Sequence, residues 1–226
     1  MSYILNIDTA INSASICLSK DGVLINLSIN ENSKDHAAWL QSAIKNQLLS
    51  SSITIKELNA IAVSIGPGSY TGLRIGLSTA KGLCYALNIP LIAIGTLEMM
   101  AYAAKDAESD LLCPMIDARR MEVFTALYNK KMEIVLPPCA MILDERSFDD
   151  ILKKHSVLYF GNGSSKYTKV VNSKNARFEN ISINAAHLAK ISYKRFLSED
   201  FNNIAYTEPM YIKGFHNSVD ESQNNN

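Results

Sequence analysis

An apolar run, Ala60 to Ile65, stops at Gly66-Pro67-Gly68 and passes into a helical pattern that carries glycine at positions 72, 76 and 82. A glycine inside a helix costs roughly 1 kcal/mol against alanine, so something has to offset three of them. Gly72, Gly76, Ala80 and Cys84 recur every four residues and share one helix face. A ridge this bare admits another backbone at short range, either from this chain or from another protein.

Composition narrows the field. The chain has 226 residues, room for one large domain or two small ones, and its 22 basic residues equal its 22 acidic ones. A protein that grips RNA unaided needs a basic excess, so any nucleic acid is expected to be held mainly by a partner. Cys17, Cys84, Cys113 and Cys139 form no Cys-x-x-Cys pair and read as free thiols of a reducing compartment. The first residues, MSYILNIDTA, lack the pattern of a signal peptide. No window reaches about 18 uninterrupted apolar residues, so no membrane span is expected. A cytoplasmic protein follows.

Periodicity organises the rest. Tyr3–Ile7, Ala14–Ser19 and Val23–Ile29 read as strands, the last two joined by the hairpin signal Asp21-Gly22. A helix begins near Asp35 and presents Ala38, Leu40, Ile44, Leu48 and Leu49. After the glycine-bearing helix come a strand over 89–93 and a short helix with Thr96 as its N-cap. Further strands are expected at Leu112–Ile116, Glu122–Tyr128 and Val157–Phe160, and helices at Asp144–Lys154 and Asn184–Leu197. No internal repeat is visible. A polar stretch at 104–110 suggests a lobe over 1–104 and a smaller one over 105–215, with a disordered polar tail at 216–226. Strand runs mixed with crossovers imply mixed sheets covered by helices.

The chemistry-bearing motifs are sparse. The loop Gly66–Gly72 lies where phosphate is often cradled, but Leu73-Arg74 stands where a Walker loop needs Lys-Ser/Thr, and Pro67 removes an amide donor. A tight strand-to-helix turn is the better reading. Arg74 and Lys81 share a helix face with Ser78 and suit a solvated edge or the polar rim of an interface. Asp8, at a strand end, and Gly161 and Gly163, after another strand, are the weak nucleotide candidates, each equally at home in an ordinary turn. Asp117, Arg119, Arg120 and Glu122 suggest an ion-pair cluster at a turn. His36, His155, His187 and His216 have no metal-ligand spacing, and no nucleophile stands with a base. Neither a catalytic nor a metal residue is assigned.

Four stretches in order, Ile7-Asp8-Thr9, GPGSYTGLRIG at 66–76, DARRMEVF at 117–124 and EPMYIK at 208–213, resemble the TsaB (YeaZ) family, the second very specifically. The resemblance spans residues 2 to about 213. It implies a two-lobed actin-like, sugar-kinase-like (ASKHA) α/β fold, each lobe with a ribonuclease-H-like mixed sheet flanked by helices. It also implies a non-catalytic subunit in the threonylcarbamoylation of the adenosine beside the anticodon of some tRNAs. Such a subunit pairs with the catalytic paralogue TsaD, helps recruit the ATPase TsaE, and works alongside TsaC, which makes the donor. A homodimer in isolation, contact with tRNA only through partners, and no cofactor on the isolated chain follow; any ATP or ADP belongs at the interface with TsaD. The family's pairing element is the glycine-bearing helix, which assigns Gly72, Leu73, Arg74, Gly76, Ser78, Thr79 and Leu83 to the interface, the bare ridge facing the partner. Met121 replaces a common Gly, Phe124 a frequent Tyr and Lys213 a usual Arg. The rival readings are an actin-like ATPase or kinase using Asp8 and the 161–164 loop, and, with no motif behind it, a peptidase.

Overall fold

Strand β1 (Tyr3–Asp8) pairs antiparallel with β2 (Ala14–Lys20), and β2 with β3 (Val23–Asn30). The hairpin between β2 and β3 turns on Asp21 and Gly22, both at positive φ (49° and 76°), as an Asp-Gly hairpin requires. The chain then forms α1 (His36–Ser50), β4 (Leu58–Ser64), α2 (Tyr70–Leu87), β5 (Leu91–Ile94) and α3 (Thr96–Ala103). Strands β1, β4 and β5 are parallel, giving a five-stranded sheet of order β3-β2-β1-β4-β5. This computed structural model describes residues 1–11, 13–32 and 35–212; the tail and Lys213 lie outside the described residues.

The second half repeats the plan. Strands β6 (Leu111–Asp117), β7 (Glu122–Asn129) and β8 (Ile134–Ile142) form an antiparallel meander. The remaining elements are α4 (Asp149–Leu152), β9 (Val157–Phe160), α5 (Ser164–Tyr167), β10 (Ala176–Phe178) and α6 (Leu188–Leu197). Parallel β9 and β10 complete a second sheet of order β8-β7-β6-β9-β10, the same succession as the first. The two sheets are thus topological copies, although no sequence repeat announces them.

Alternation along the strands divides the first sheet between two layers. Leu5 and Ile7 face Leu40, Ile44, Leu77 and Ala80 of α1 and α2, while Ile4, Ala60 and Ala62 face Met99, Leu188 and Ile191. Each large aliphatic so buried contributes about 1.5–3 kcal/mol. Helix α3 lies between the sheets, with Met99 in the first core and Leu97, Met100 and Ala101 against Leu112, Ile116 and Phe160 of the second.

The boundary expected at 104/105 does not survive in this form. Helix α6 and the turn before it cover the first sheet, not the second: Ser192 donates to Asn6 Oδ1 at 2.6 Å and the Ala185 amide to Ser15 Oγ at 2.9 Å. Asn202 extends the edge of β5, its amide donating to the Leu91 carbonyl (2.8 Å) while its Oδ1 accepts from the Ala93 amide (2.7 Å). The chain returns to its first lobe after 184, because that sheet has a second apolar face to cover. Three local expectations also change. The N-cap of α3 is Gly95; the hydroxyl of Thr96 accepts instead from the Gly66 amide at 3.0 Å. The helix expected at 144–154 is α4 alone, with turns around it. The helix expected at 184–197 begins with a 3-10 turn at Ala185–His187, Asn184 capping it.

Candidate functional site: the outward face of helix α2

The loop before α2 is knitted into its own chain. The Gly66 amide donates to Thr96 Oγ1 (3.0 Å), the Ser69 amide to the Ala10 carbonyl (2.7 Å) and the Gly72 amide to Ser69 Oγ, the N-cap of α2 (3.2 Å). Pro67 has no amide to give. These donors are therefore engaged already, and the loop is a strand-to-helix turn.

The glycine ridge faces inward, against expectation. A Cβ at Gly72 would lie 2.0 Å from the Thr9 carbonyl oxygen and one at Gly76 2.3 Å from Thr9 Oγ1. Gly72, Leu73, Gly76, Ala80 and Cys84 are all buried under the chain itself. The close approach that these small residues permit is made by the turn after β1. Gly72, Leu73 and Gly76 are thereby corrected from interface residues to core residues. Arg74 and Ser78 are exposed and Thr79 and Leu83 half-buried, on the opposite side of the helix.

Gly82 differs from the other two: among the described residues, nothing beyond its chain neighbours and the adjacent backbone of its own helix lies within 4 Å of where its Cβ would be. Intramolecular packing therefore gives no reason for its helix cost. Beside it Tyr85 is 83% exposed. The face is bordered by a strap, residues 203–211. Lys81 Nζ donates to the carbonyls of Thr207 (2.9 Å) and Ala205 (3.4 Å), and the Met210 amide to that of Ile65 (2.6 Å). Lys81 is thus an internal anchor rather than a free rim cation. Arg74 lies 4.0 Å over the Tyr70 ring and donates through Nε to the Tyr211 hydroxyl at 3.2 Å, the two rings being 5.4 Å apart. The outward face therefore combines an aromatic–guanidinium corner with the bare position Gly82 beside the exposed Tyr85. Tyr85 carries no motif, and only the period of α2, followed through to its outer side, marks it; the strap ends in the EPMYIK stretch, whose place beside α2 the sequence does not give.

The nucleotide candidates do not come together. Asp8 is fully buried, its Oδ1 accepting from Ser64 Oγ (2.5 Å) and the Ala10 amide (3.1 Å), and its burial raises its pKa. Gly161 (φ 92°) and Gly163 are required by close approach to β6: a Cβ on Gly161 would lie 2.5 Å from the Met115 carbonyl oxygen, and one on Gly163 3.0 Å from the Ile116 carbonyl carbon. Between the sheets, a cavity of about 410 Å3 is lined by Ala10, Ser69, Tyr70, Asp117, Arg119 and Phe124 among others, and a neighbouring one of about 370 Å3 includes Gly161. Asp117 pairs with Lys166 at 2.8 Å and accepts from the Arg119 backbone amide at 2.6 Å, rather than from an arginine side chain, and the Lys166 contact first, then the Arg119 amide, hold its carboxyl below the usual range. Arg119 and Arg120 themselves make the turn, at φ 71° and 47°. Three amides of the 66–72 loop and Asp8 Oδ1 are engaged internally, while Asp8 Oδ2 is buried with no hydrogen-bond partner among the described residues. Among the described residues no three His, Cys, Asp or Glu side chains form a metal-binding group, and no helix is long and apolar enough to cross a membrane.

Residues 23–206 match the family model described as "TsaD: tRNA N6-adenosine threonylcarbamoyltransferase". The tRNA threonylcarbamoyladenosine biosynthesis protein TsaB of Bacillus subtilis is 33% identical over 173 residues, 74% of each chain. The structure of YeaZ from Pseudomonas aeruginosa superposes with a TM-score of 0.80 at 22% identity, over 93% of this chain and all of that one. An activator of 2-hydroxyisocaproyl-CoA dehydratase from Clostridium difficile, solved with bound ADPNP, shares the two-lobed fold at a TM-score of 0.50 and 8% identity, over 89% of this chain and 99% of that one.

Proposed function

The chain belongs to the TsaB (YeaZ) family of tRNA threonylcarbamoyladenosine biosynthesis proteins, and on that footing we propose that it is a non-catalytic scaffold subunit of this modification. In this reading the outward face of α2 docks on the catalytic paralogue TsaD, and the pair recruits the ATPase TsaE. The observation that carries it is Gly82: a helix-interior glycine with open space around it, next to the exposed Tyr85. A second α-helix crossing there at short range would offset its cost. Arg74, Ser78, Thr79 and Leu83 complete the contact, and Gly72, Leu73 and Gly76 support it from beneath. The same face is self-complementary across a two-fold axis and pairs two copies when TsaD is absent. Any ATP or ADP belongs to the interface with TsaD, and tRNA is met through partners.

The test is co-purification of the tagged chain from its own cytoplasm. TsaD and TsaE are recovered with the native chain and lost with Tyr85→Asp, whose fold is unchanged by circular dichroism. Failure to recover TsaD with the native chain overturns the reading. The rival ATPase reading is separated by calorimetry: tight binding of Mg-ATP to the isolated chain would favour it.

A further inference from the structure

The strap begins with a closely bonded turn. Asn203 Oδ1 accepts from the amides of Ala205 (2.8 Å) and Tyr206 (3.3 Å), and the Asn203 carbonyl accepts from the Thr207 amide (2.9 Å) and hydroxyl (2.6 Å). The carbonyls of Ala205 and Thr207, one on each side of Tyr206, both accept from Lys81 Nζ of α2. Ile204 packs inward against the core beneath α1 and α2. The backbone around Tyr206 is thus fixed from within the chain, while its ring is 83% exposed. A ring held out by so ordered a backbone loses little freedom when it is bound.

Lys81 joins this turn to the bare part of α2. Ser78, Lys81, Gly82 and Tyr85 follow the spacing i, i+3, i+4 and i+7, the four positions that surround a hole for one side chain of a facing helix. No other part of the described chain packs where a Gly82 Cβ would stand, which leaves the floor of the hole open. Tyr85, as exposed as Tyr206, walls one side. Lys81 turns its ammonium to the strap carbonyls and leaves its stem as an apolar wall. Tyr206, between the two carbonyls that Lys81 holds, borders the same hole. A charged side chain would lose its hydration there without gaining an opposite charge. A bulky uncharged one would gain contact with two rings, the kind of side chain that dominates interface energetics.

We propose that the strap is part of the pairing face. Tyr206 and Tyr85 close on a bulky uncharged side chain that a helix of TsaD seats over Gly82, and Lys81 is a positioning residue whose ammonium keeps Tyr206 in place. The contact rests on the pairing reading and adds to it the strap, the chemistry of the side chain received and the role of Lys81.

The test is calorimetric titration of the full chain against TsaD, with the fold of each variant checked by circular dichroism. Tyr206→Ala weakens binding at least tenfold. Lys81→Met, which retains an unbranched apolar stem and removes the ammonium, weakens it likewise, whereas Lys81→Arg, which still donates to the strap carbonyls, binds as the native chain does. In the Tyr206→Ala background Lys81→Met adds less than a twofold loss, because the ring it positions is gone. A Lys81→Met loss of equal size with and without Tyr206 overturns the positioning role. Undiminished affinity in Tyr206→Ala, where Tyr85→Asp abolishes binding, overturns the strap contact and leaves the pairing reading standing. A native chain that does not bind TsaD overturns both.

Discussion

Thr9 Oγ1 donates to the carbonyl of Gly72 across 2.7 Å, joining residues 63 apart in sequence and seating α2 on the turn that follows β1. The contact uses the glycine twice. Its missing side chain admits the Thr9 backbone, and its carbonyl takes the Thr9 hydroxyl.

Replacement of Gly76 tests this seat. A new Cβ would stand 2.3 Å from Thr9 Oγ1. Gly76→Ala is therefore expected to destabilise the fold by about 1–3 kcal/mol as an overpacked site, despite its better helix propensity. Thr9→Ala in the same chain removes the colliding hydroxyl. Denaturant midpoints should show the double variant closer to the native chain than the two single losses sum to.

Asp8 gives a pH signature. Its pKa is raised above 3.8, chiefly by burial, against the lowering effect of Ser64 and the Ala10 amide. The folded state thus holds the proton more tightly than the unfolded one. Its contribution to stability is present at low pH and declines as pH rises from about the unfolded value through the folded one. Asp8→Asn, which keeps the acceptor for Ser64, should remove that decline. Urea unfolding across pH 3–8 for both chains measures it as a difference.

The return of α6 to the first sheet predicts that residues 1–104 do not fold alone. Without α6, the face bearing Ile4, Ala60 and Ala62 is exposed. In the full chain Ser192→Ala leaves Asn6 Oδ1 without its partner and is expected to cost about 1–3 kcal/mol. Heteronuclear NMR of the fragment and thermal unfolding of the variant are the measurements.

The first lobe was legible because its signals are local. Asp21-Gly22 sets a hairpin, and the apolar period of α1 and the Gly-Pro-Gly break before α2 mark element ends. Strand β8 was missed because Pro137 and Pro138 lie within it; prolines are tolerated there because it is an edge strand. Spacing by four correctly placed Gly72, Gly76, Ala80 and Cys84 on one face, but spacing does not say what the face meets. Its neighbour, Thr9-Ala10, is remote in sequence and looks like any turn. Gly82 belongs to a different face from the two glycines it was grouped with, and that distinction needs the packed helix. The likeness of the two sheets lies in strand order, which leaves no repeat of residues to read.

The most direct test of the pairing face is Gly82→Leu, with stability measured at a dilution where the isolated chain is monomeric. Open space around Gly82 lets the leucine raise helix propensity, so the monomer should gain about 0.5–1 kcal/mol. Calorimetric titration against TsaD should show affinity at least tenfold weaker, about 1.4 kcal/mol. A more stable chain that binds TsaD with undiminished affinity would contradict the account.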